Sequence, residues 1–298
     1  MGNRTPNKES LDHLISRMVD NKGVFSAVKC VENGNGDFSW TGAAGEMQRG
    51  SKYFIASVTK LYVTALVMRL IEEGRLALGA KISNYLPVAD ELMQGNDDAW
   101  PLDRTIGLIK SLKPNFKPGA KGKAAYSDSN YQLLGKIIEN ITGKAIGEVF
   151  DEFIFSELHL QHTYAYFDVN DNSPVPFYYK SRPLWLPNYM ASIAPEGGIV
   201  STAGEVMIFL KAFFNGRFFP KEKINSLKQW NWILPPPGLF LFGIGLEKIW
   251  TPWIVSPFKP IREILGFWGQ TGSFAFYNPQ TDLYFCGATN QINGAGHR

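Results

Sequence analysis

The chain has 298 residues, 45% of them hydrophobic and 19% charged, enough to bury a sizeable core as one large unit or two lobes. Its 30 basic and 27 acidic residues leave a net charge of +3 and form no basic stripe, so nucleic acid is not expected as a partner. No charge-free apolar run is long enough to cross a bilayer, and no membrane span is expected.

The first ten residues, MGNRTPNKES, are polar and carry no signal peptide as written. Pro6 stands where a myristoylation signal needs Ser or Thr. The expectation is a cytoplasmic protein as written, or a periplasmic or secreted one if a leader was removed. Leu11, Leu14, Ile15, Met18 and Val19 make a helical stripe that stops at Gly23. Two strand candidates, VFSAVKCVE and DFSWTGAAG, flank the turn signal NGNG. The segment FIASVTKLYVTALVMRLIEEGRL, 54–76, reads as one helix apolar on nearly every side and closed by Gly74. From about 82 to 195 the pattern is helical and loop-rich. Helices are predicted in NYQLLGKIIENIT, closed by Gly143, and in AIGEVFDEFIFSEL. STAGEVMIFLKAFF opens on Thr202 and Glu205, the spacing of a capping box. After Gly238, strands return in FLFGIGLEKIW, SFAFYNP and LYFCGATNQ.

Strands at both ends and helices between them predict an α+β fold, an α/β sandwich. Residues 1–81 and 196–298 supply an antiparallel sheet with flanking helices, and 82–195 form an inserted, mostly helical lobe. Cys30 and Cys286 both lie in strand-like runs and are expected as buried free thiols; a disulfide would need those strands to be neighbours. His13, His159, His162 and His297 lack metal-site spacing, so neither a metal nor a cofactor is expected. The basic stretch 110–123 is broken by Pro114 and Pro118 and reads as a solvated loop.

Lys60 is the residue that composition leaves unexplained. Lysine is almost never fully buried without a partner or a task, and this one sits one turn into a core helix. It lies three residues after Ser57. A Ser-x-x-Lys spacing arises about once by chance in a chain of this size, and here it occurs at Ser26–Lys29, Ser57–Lys60 and Ser256–Lys259. The first lies in a strand, where a three-residue step points to opposite faces. The third is interrupted by Pro257. At Ser57 the two side chains share a helix face, and the hydroxyl can meet the ammonium. The plainer alternative is an N-cap serine and a snorkelling lysine.

A second element, YSDSNYQLLGKIIENITG from Tyr126, places a Tyr-Ser-Asp turn before a helix. With the Ser57–Lys60 pair it resembles the serine β-lactamase and penicillin-binding protein superfamily, in its class C β-lactamase, D,D-peptidase and family VIII-type esterase branch. PEGGIVSTAGEVMIFLKAFFNG and TGSFAFYNPQTDLYFCGATNQ resemble that family's GGLVST helix and closing strand pair. The resemblance runs in order over residues 24–292 and implies one catalytic unit. It implies Ser57 as nucleophile, with Lys60 and Tyr126 sharing its proton. The backbone N–H groups of Ser57 and Gln270 would hold the oxyanion.

The sequence also departs from that pattern. The family's third motif, a cation, a hydroxyl and a glycine, aligns with Phe267, Trp268 and Gly269, of which only the glycine fits. Asp128 stands where the family has Asn. YLPVADELMQGNDDAW replaces a segment of different type, and the chain stops where relatives often add a last helix. A redesigned or trimmed hydrolase would show such changes. With its cation gone, the third motif is a poor seat for a substrate carboxylate, so Asp128, Phe267, Trp268 and Gly269 are expected to contact an uncharged substrate. The expected activity is a serine hydrolase, esterase or acyl transferase, on small apolar acyl substrates. Alternatives are weak β-lactamase or D,D-peptidase-like activity, or a non-catalytic hydrophobic-ligand-binding protein. Loss of the cation and gain of Asp128 both favour a charged Lys60, which would leave Tyr126, as a phenolate stabilised by Lys60, the larger share of the base role. The sequence leaves the oligomeric state open.

Overall fold

A computed structural model describes residues 7–20, 23–77, 97–111, 113, 115–117, 120, 124–232, 240–251 and 261–292. The Ser256–Lys259 pair, most of YLPVADELMQGNDDAW and both chain ends lie outside these residues.

A seven-stranded antiparallel sheet organises the chain. Its strands are β1 (Ser26–Asn33), β2 (Ser39–Gly45), β8 (Phe240–Phe242), β9 (Glu247–Ile249), β10 (Ile264–Trp268), β11 (Ser273–Asn278) and β12 (Leu283–Ala288), in the order β2-β1-β12-β11-β10-β9-β8. The two ends of the chain meet where β1 pairs with β12, Val28 opposite Ala288 and Asn33 opposite Leu283. The expected sheet built from both termini is therefore present. Alternation along β1 sends Ala27 toward helix α1 (Lys8–Asp20), with Ile15, Phe38 and Trp40. Val28 and Cys30 point to the other face, into the main core. Cys30 and Cys286 are cross-strand neighbours in the β1–β12 register, and both are buried free thiols.

The predicted helix over 54–76 begins later than its apolar pattern suggests. Tyr53–Phe54 form a short strand, β3, Ala56–Val58 a single 3₁₀ turn, and α2 runs from Thr59 to Glu72. From Thr59 to Leu66 every residue is buried, which is why the sequence is apolar on all sides. Beyond α2 lie α3 (Leu102–Ser111), α4 (Ser129–Thr142) and α5 (Ile146–Phe150). Gly143 closes α4 with φ +73°, a left-handed cap that suits glycine. This lobe also holds short strands that the sequence pattern missed: β4 (Tyr164–Ala165) and a hairpin of β5 (Phe177–Tyr179) and β6 (Arg182–Leu184). Strands of two or three residues are too short to show a period. Helix α6 (Pro187–Ser192) follows, and β7 (Ile199–Ser201) pairs with both β3 and β4. This small sheet ties the lead-in of Ser57 to the helical lobe.

Helix α7 (Ala203–Phe214) packs on the core face of β12, β1 and β11. Only half of its predicted capping box forms. The Thr202 hydroxyl accepts the Glu205 N–H, but the Glu205 carboxylate accepts the N–H groups of Gln161 and His162 and the hydroxyl of Thr163. A nearby loop with unpaired donors competes successfully for that acid. Among the described residues no helix is long and apolar enough to cross a membrane.

Candidate active site

Ser57 sits in the 3₁₀ turn ahead of α2, and Lys60 in the first turn of the helix itself. The residue before the serine, Ala56, has φ +45°, a left-handed conformation that costs a non-glycine residue roughly 1 kcal/mol. The surroundings hold it there. The turn after β10 is bolted to the backbone ahead of Ser57: the Thr271 hydroxyl donates to the Phe54 carbonyl (3.0 Å) and the Ser273 hydroxyl to the Ile55 carbonyl (2.6 Å). Gly269 completes this contact. A Cβ there would stand 2.8 Å from the Ile55 carbonyl oxygen and 3.0 Å from the Ala56 Cβ. Gly269 was expected to contact substrate, but close backbone approach accounts for it. The same bolted turn carries Gln270 beside Ala56 and Ser57 in one cavity.

Lys60 is 0% exposed. Its ammonium donates to Ser57 Oγ (2.8 Å) and to the Glu196 carbonyl (2.8 Å), and pairs with Asp128 Oδ1 at 2.6 Å. An ammonium has three donors, and all three have partners. Asp128 occupies the N-cap position of α4, where an acid would ordinarily bind helix N–H groups, yet it makes no side-chain cap bond. Its carboxylate reaches the lysine instead. Asp128 was expected among the substrate contacts; its side chain, 22% exposed, lines the cleft, but one oxygen is committed to Lys60.

Tyr126, 69 residues along the chain from Ser57, brings its hydroxyl to 2.8 Å from Ser57 Oγ. Its ring is 40% exposed and stands edge-on to Phe242. Burial of the phenol's surroundings, and then the Asp128 charge, push Tyr126 well above the usual tyrosine value. The acid that pairs with Lys60 thus opposes the Lys60-stabilised phenolate expected of Tyr126. Tyr131, whose ring centre lies 5.1 Å from the Lys60 nitrogen, is pushed up to about 12 by burial.

Two cavities flank this cluster. The larger, about 260 Å³, has a mainly apolar wall that includes Ala125, Leu134, Phe242, Leu246 and Phe267, with Tyr126 at its edge. Phe267 thus lines a cavity. Trp268 lines neither cavity; its indole is 42% exposed and packs edge-on against Phe240. Alternation explains the difference, since neighbours on a strand point to opposite faces. The smaller cavity, about 30 Å³, lies beside Ser57 and is walled by Tyr189, Met190, Ile193 and Glu196 as well as Asp128 and Gln270.

Two buried acids went unread in the sequence. Burial, and then Asp128, raise Glu196 well above the ordinary carboxylate range. Burial raises Glu247 to about 8, although it accepts the Trp268 backbone N–H at 3.0 Å. The available signal was the same for both: a lone acid inside an apolar run, SIAPEGGIVST and FGIGLEKIW.

A fold with this sheet, core helix and Ser-Lys-Tyr cluster is that of a β-lactamase-type serine hydrolase. Residues 11–297 match the Beta-lactamase family, and the chain belongs to it. It is similar to the teichoic acid D-alanine hydrolase of Staphylococcus aureus, 26% identical over 188 residues, 55% of this chain and 46% of that protein. The chain spans between 34% and 51% of the length of this and three other curated relatives it matches. Among solved structures it is similar in fold to a D-stereospecific amidohydrolase from Streptomyces sp. (TM-score 0.77, 21% identity, 96% of this chain and 95% of that one). It is likewise similar to EstCE1, a hydrolase with promiscuous acyltransferase activity (TM-score 0.77, 17% identity, 95% and 93%).

Proposed function

We propose that this protein hydrolyses small, rather apolar esters through an acyl-enzyme on Ser57. The observation that carries the proposal is the pair of 2.8 Å hydrogen bonds that Ser57 Oγ makes with Lys60 and Tyr126 beside an apolar cavity.

With Tyr126 as a neutral phenol, the proton moves by relay. Ser57 Oγ attacks the ester carbonyl and gives its proton to the Tyr126 oxygen. Tyr126 hands its own proton to the departing alkoxide, the ester C–O bond breaks, and the alcohol leaves. Water then attacks the acyl carbonyl along the reverse path, and the proton Tyr126 releases returns to Ser57 Oγ. The Lys60 ammonium, already donating to Oγ, stabilises negative charge as it develops there. The backbone N–H groups of Ser57 and Gln270 are the proposed oxyanion donors, worth about 3 kcal/mol each in comparable sites. An added alcohol in place of water gives acyl transfer by the same steps.

The strand that would hold a substrate carboxylate offers Phe267 and Trp268, so carboxylate-bearing β-lactams should fit less well. The test compares kcat/KM for p-nitrophenyl butyrate and nitrocefin. Faster ester turnover is expected; faster β-lactam turnover would reverse the assignment.

A further inference from the structure

Cys30 and Cys286 take no part in the chemistry at Ser57, yet the fold sets them side by side. They stand directly opposite each other in the β1–β12 register. Opposed Cα atoms of an antiparallel pair are roughly 4.5–5.5 Å apart, inside the range that a disulfide spans. Opposed residues also share a face of the sheet, and both of these side chains enter the main core. The strands run close here: a Cβ on Gly287, next to Cys286, would collide with the backbone of Val28 and Lys29. The single Cys286 thiol proton has two acceptors in reach, the Ala203 carbonyl at 3.1 Å and Cys30 Sγ. From β2 the Thr41 hydroxyl donates to Cys30 Sγ at 3.3 Å. Joining the two sulfurs strands neither partner. Ala203 opens α7, so its carbonyl also accepts within the helix, and a disulfide sulfur can still accept from Thr41. Cys30 is 2% exposed and Cys286 0%, so only a small oxidant can be admitted.

We propose that Cys30 and Cys286 form a reversible oxidation site, at which a small peroxide makes a disulfide that staples the first strand of the sheet to the last. Cys30 Sγ attacks one peroxide oxygen and the O–O bond breaks. The departing hydroxide takes the Cys30 proton and leaves as water, and Cys30 is now a sulfenic acid. Cys286 Sγ then attacks the Cys30 sulfur and the S–O bond breaks. The sulfenic hydroxyl takes the Cys286 proton and leaves as a second water. Two thiols lose two electrons, and one peroxide is reduced to two waters. The surroundings set the order of attack. A hydrogen bond from Cys286 holds Cys30 below the usual thiol value against the effect of burial, whereas burial pushes Cys286 well up. Cys30 is therefore the better first nucleophile. Its resolving partner is already in contact, which favours the disulfide over further oxidation. The link closes a loop that covers most of the chain, and so restricts the unfolded state.

The chain has no third cysteine, so a disulfide within it can only be this one. The folded protein is first reduced with dithiothreitol, freed of it, and treated with hydrogen peroxide. It is then denatured in N-ethylmaleimide and weighed. Counting maleimides keeps methionine oxidation out of the readout. The expected result is two maleimides per chain before peroxide, none after it, and two again after dithiothreitol. A digest should contain the linked Cys30 and Cys286 peptides, and the oxidised protein should melt about 5 °C higher. Cys286→Ser removes the staple, and peroxide should no longer raise its midpoint; should this variant fail to fold, the wild-type thiol count decides alone. Two maleimides remaining after peroxide overturn the proposal. So do thiols that dithiothreitol does not restore, a link between chains instead of within one, and a link that forms only in denaturing urea. An oxidised wild type that melts no higher than the reduced one, or a rise that persists in folded Cys286→Ser, overturns it as well.

Discussion

Removing the Asp128 carboxylate strands a charge in the core. Asp128→Ala leaves Lys60, 0% exposed, with Ser57 Oγ and the Glu196 carbonyl but without its ion-pair partner. Breaking one partner of a buried ion pair typically costs about 3–5 kcal/mol. Asp128 is 22% exposed, and water can reach the vacated corner. The lower end, about 3 kcal/mol, is therefore the expected loss. Unfolding entropies of about 2.1 cal/mol/K per residue over 298 residues give about 0.6 kcal/mol/K, so the midpoint should fall by about 5 °C. Differential scanning calorimetry at pH 7 reads this shift. The same reasoning predicts a partial rescue. Lys60→Met in the Asp128→Ala background removes the stranded charge and fills its volume, so the double variant should melt above Asp128→Ala alone. A single variant within about 1 °C of wild type, or a double variant melting lower still, would refute the account of Lys60 as a charge that depends on Asp128.

Two further outcomes follow from the same geometry. Tyr126→Phe deletes one of the two groups bonded to Ser57 Oγ while its exposed ring is kept; acylation by a p-nitrophenyl ester should slow by about 10²–10⁴-fold, the usual share of acid–base catalysis, and an undiminished burst would remove Tyr126 from the relay. Glu247 has a folded value of about 8 against an ordinary 4.5, so the folded state holds its proton longer than the unfolded chain. Its contribution is complete below about pH 4.5 and is lost as pH rises toward about 8, with a slope of at most roughly 1.4 kcal/mol per pH unit. Glu247→Gln should flatten the urea-derived stability curve across that window, and an unchanged slope would show that the acid is not buried as described.

The sheet was legible because β1, β2, β11 and β12 are long enough to alternate, and α2 because a helix buried on every side must be apolar. Its true start was not, since Phe54 and Ile55 suit a strand, a turn and a helix equally. The Ser57–Lys60 contact followed from local spacing, which the 3₁₀ turn preserves. Tyr126 could be joined to them only through resemblance; nothing local to residues 126–128 says which distant serine the phenol will meet. The hydroxyls of Thr271 and Ser273 act on carbonyls more than 200 residues away in sequence. No periodicity encodes such contacts. Asp128 was read as a change of charge, but its bond to Lys60 in place of α4 depends on which acceptor lies nearer in space. Glu196 was hidden for the same reason, because an acid among glycines reads as a turn until the burial around it is known.

The central claim is that Ser57 is an activated nucleophile in a closed catalytic cluster. Intact-mass and peptide analysis after treatment with a fluorophosphonate measures it most directly. One adduct per chain, mapped to Ser57 and formed far more slowly in Tyr126→Phe, is the predicted result. A folded protein whose Ser57 stays unmodified, while the cleft still binds hydrophobic ligands, would contradict it.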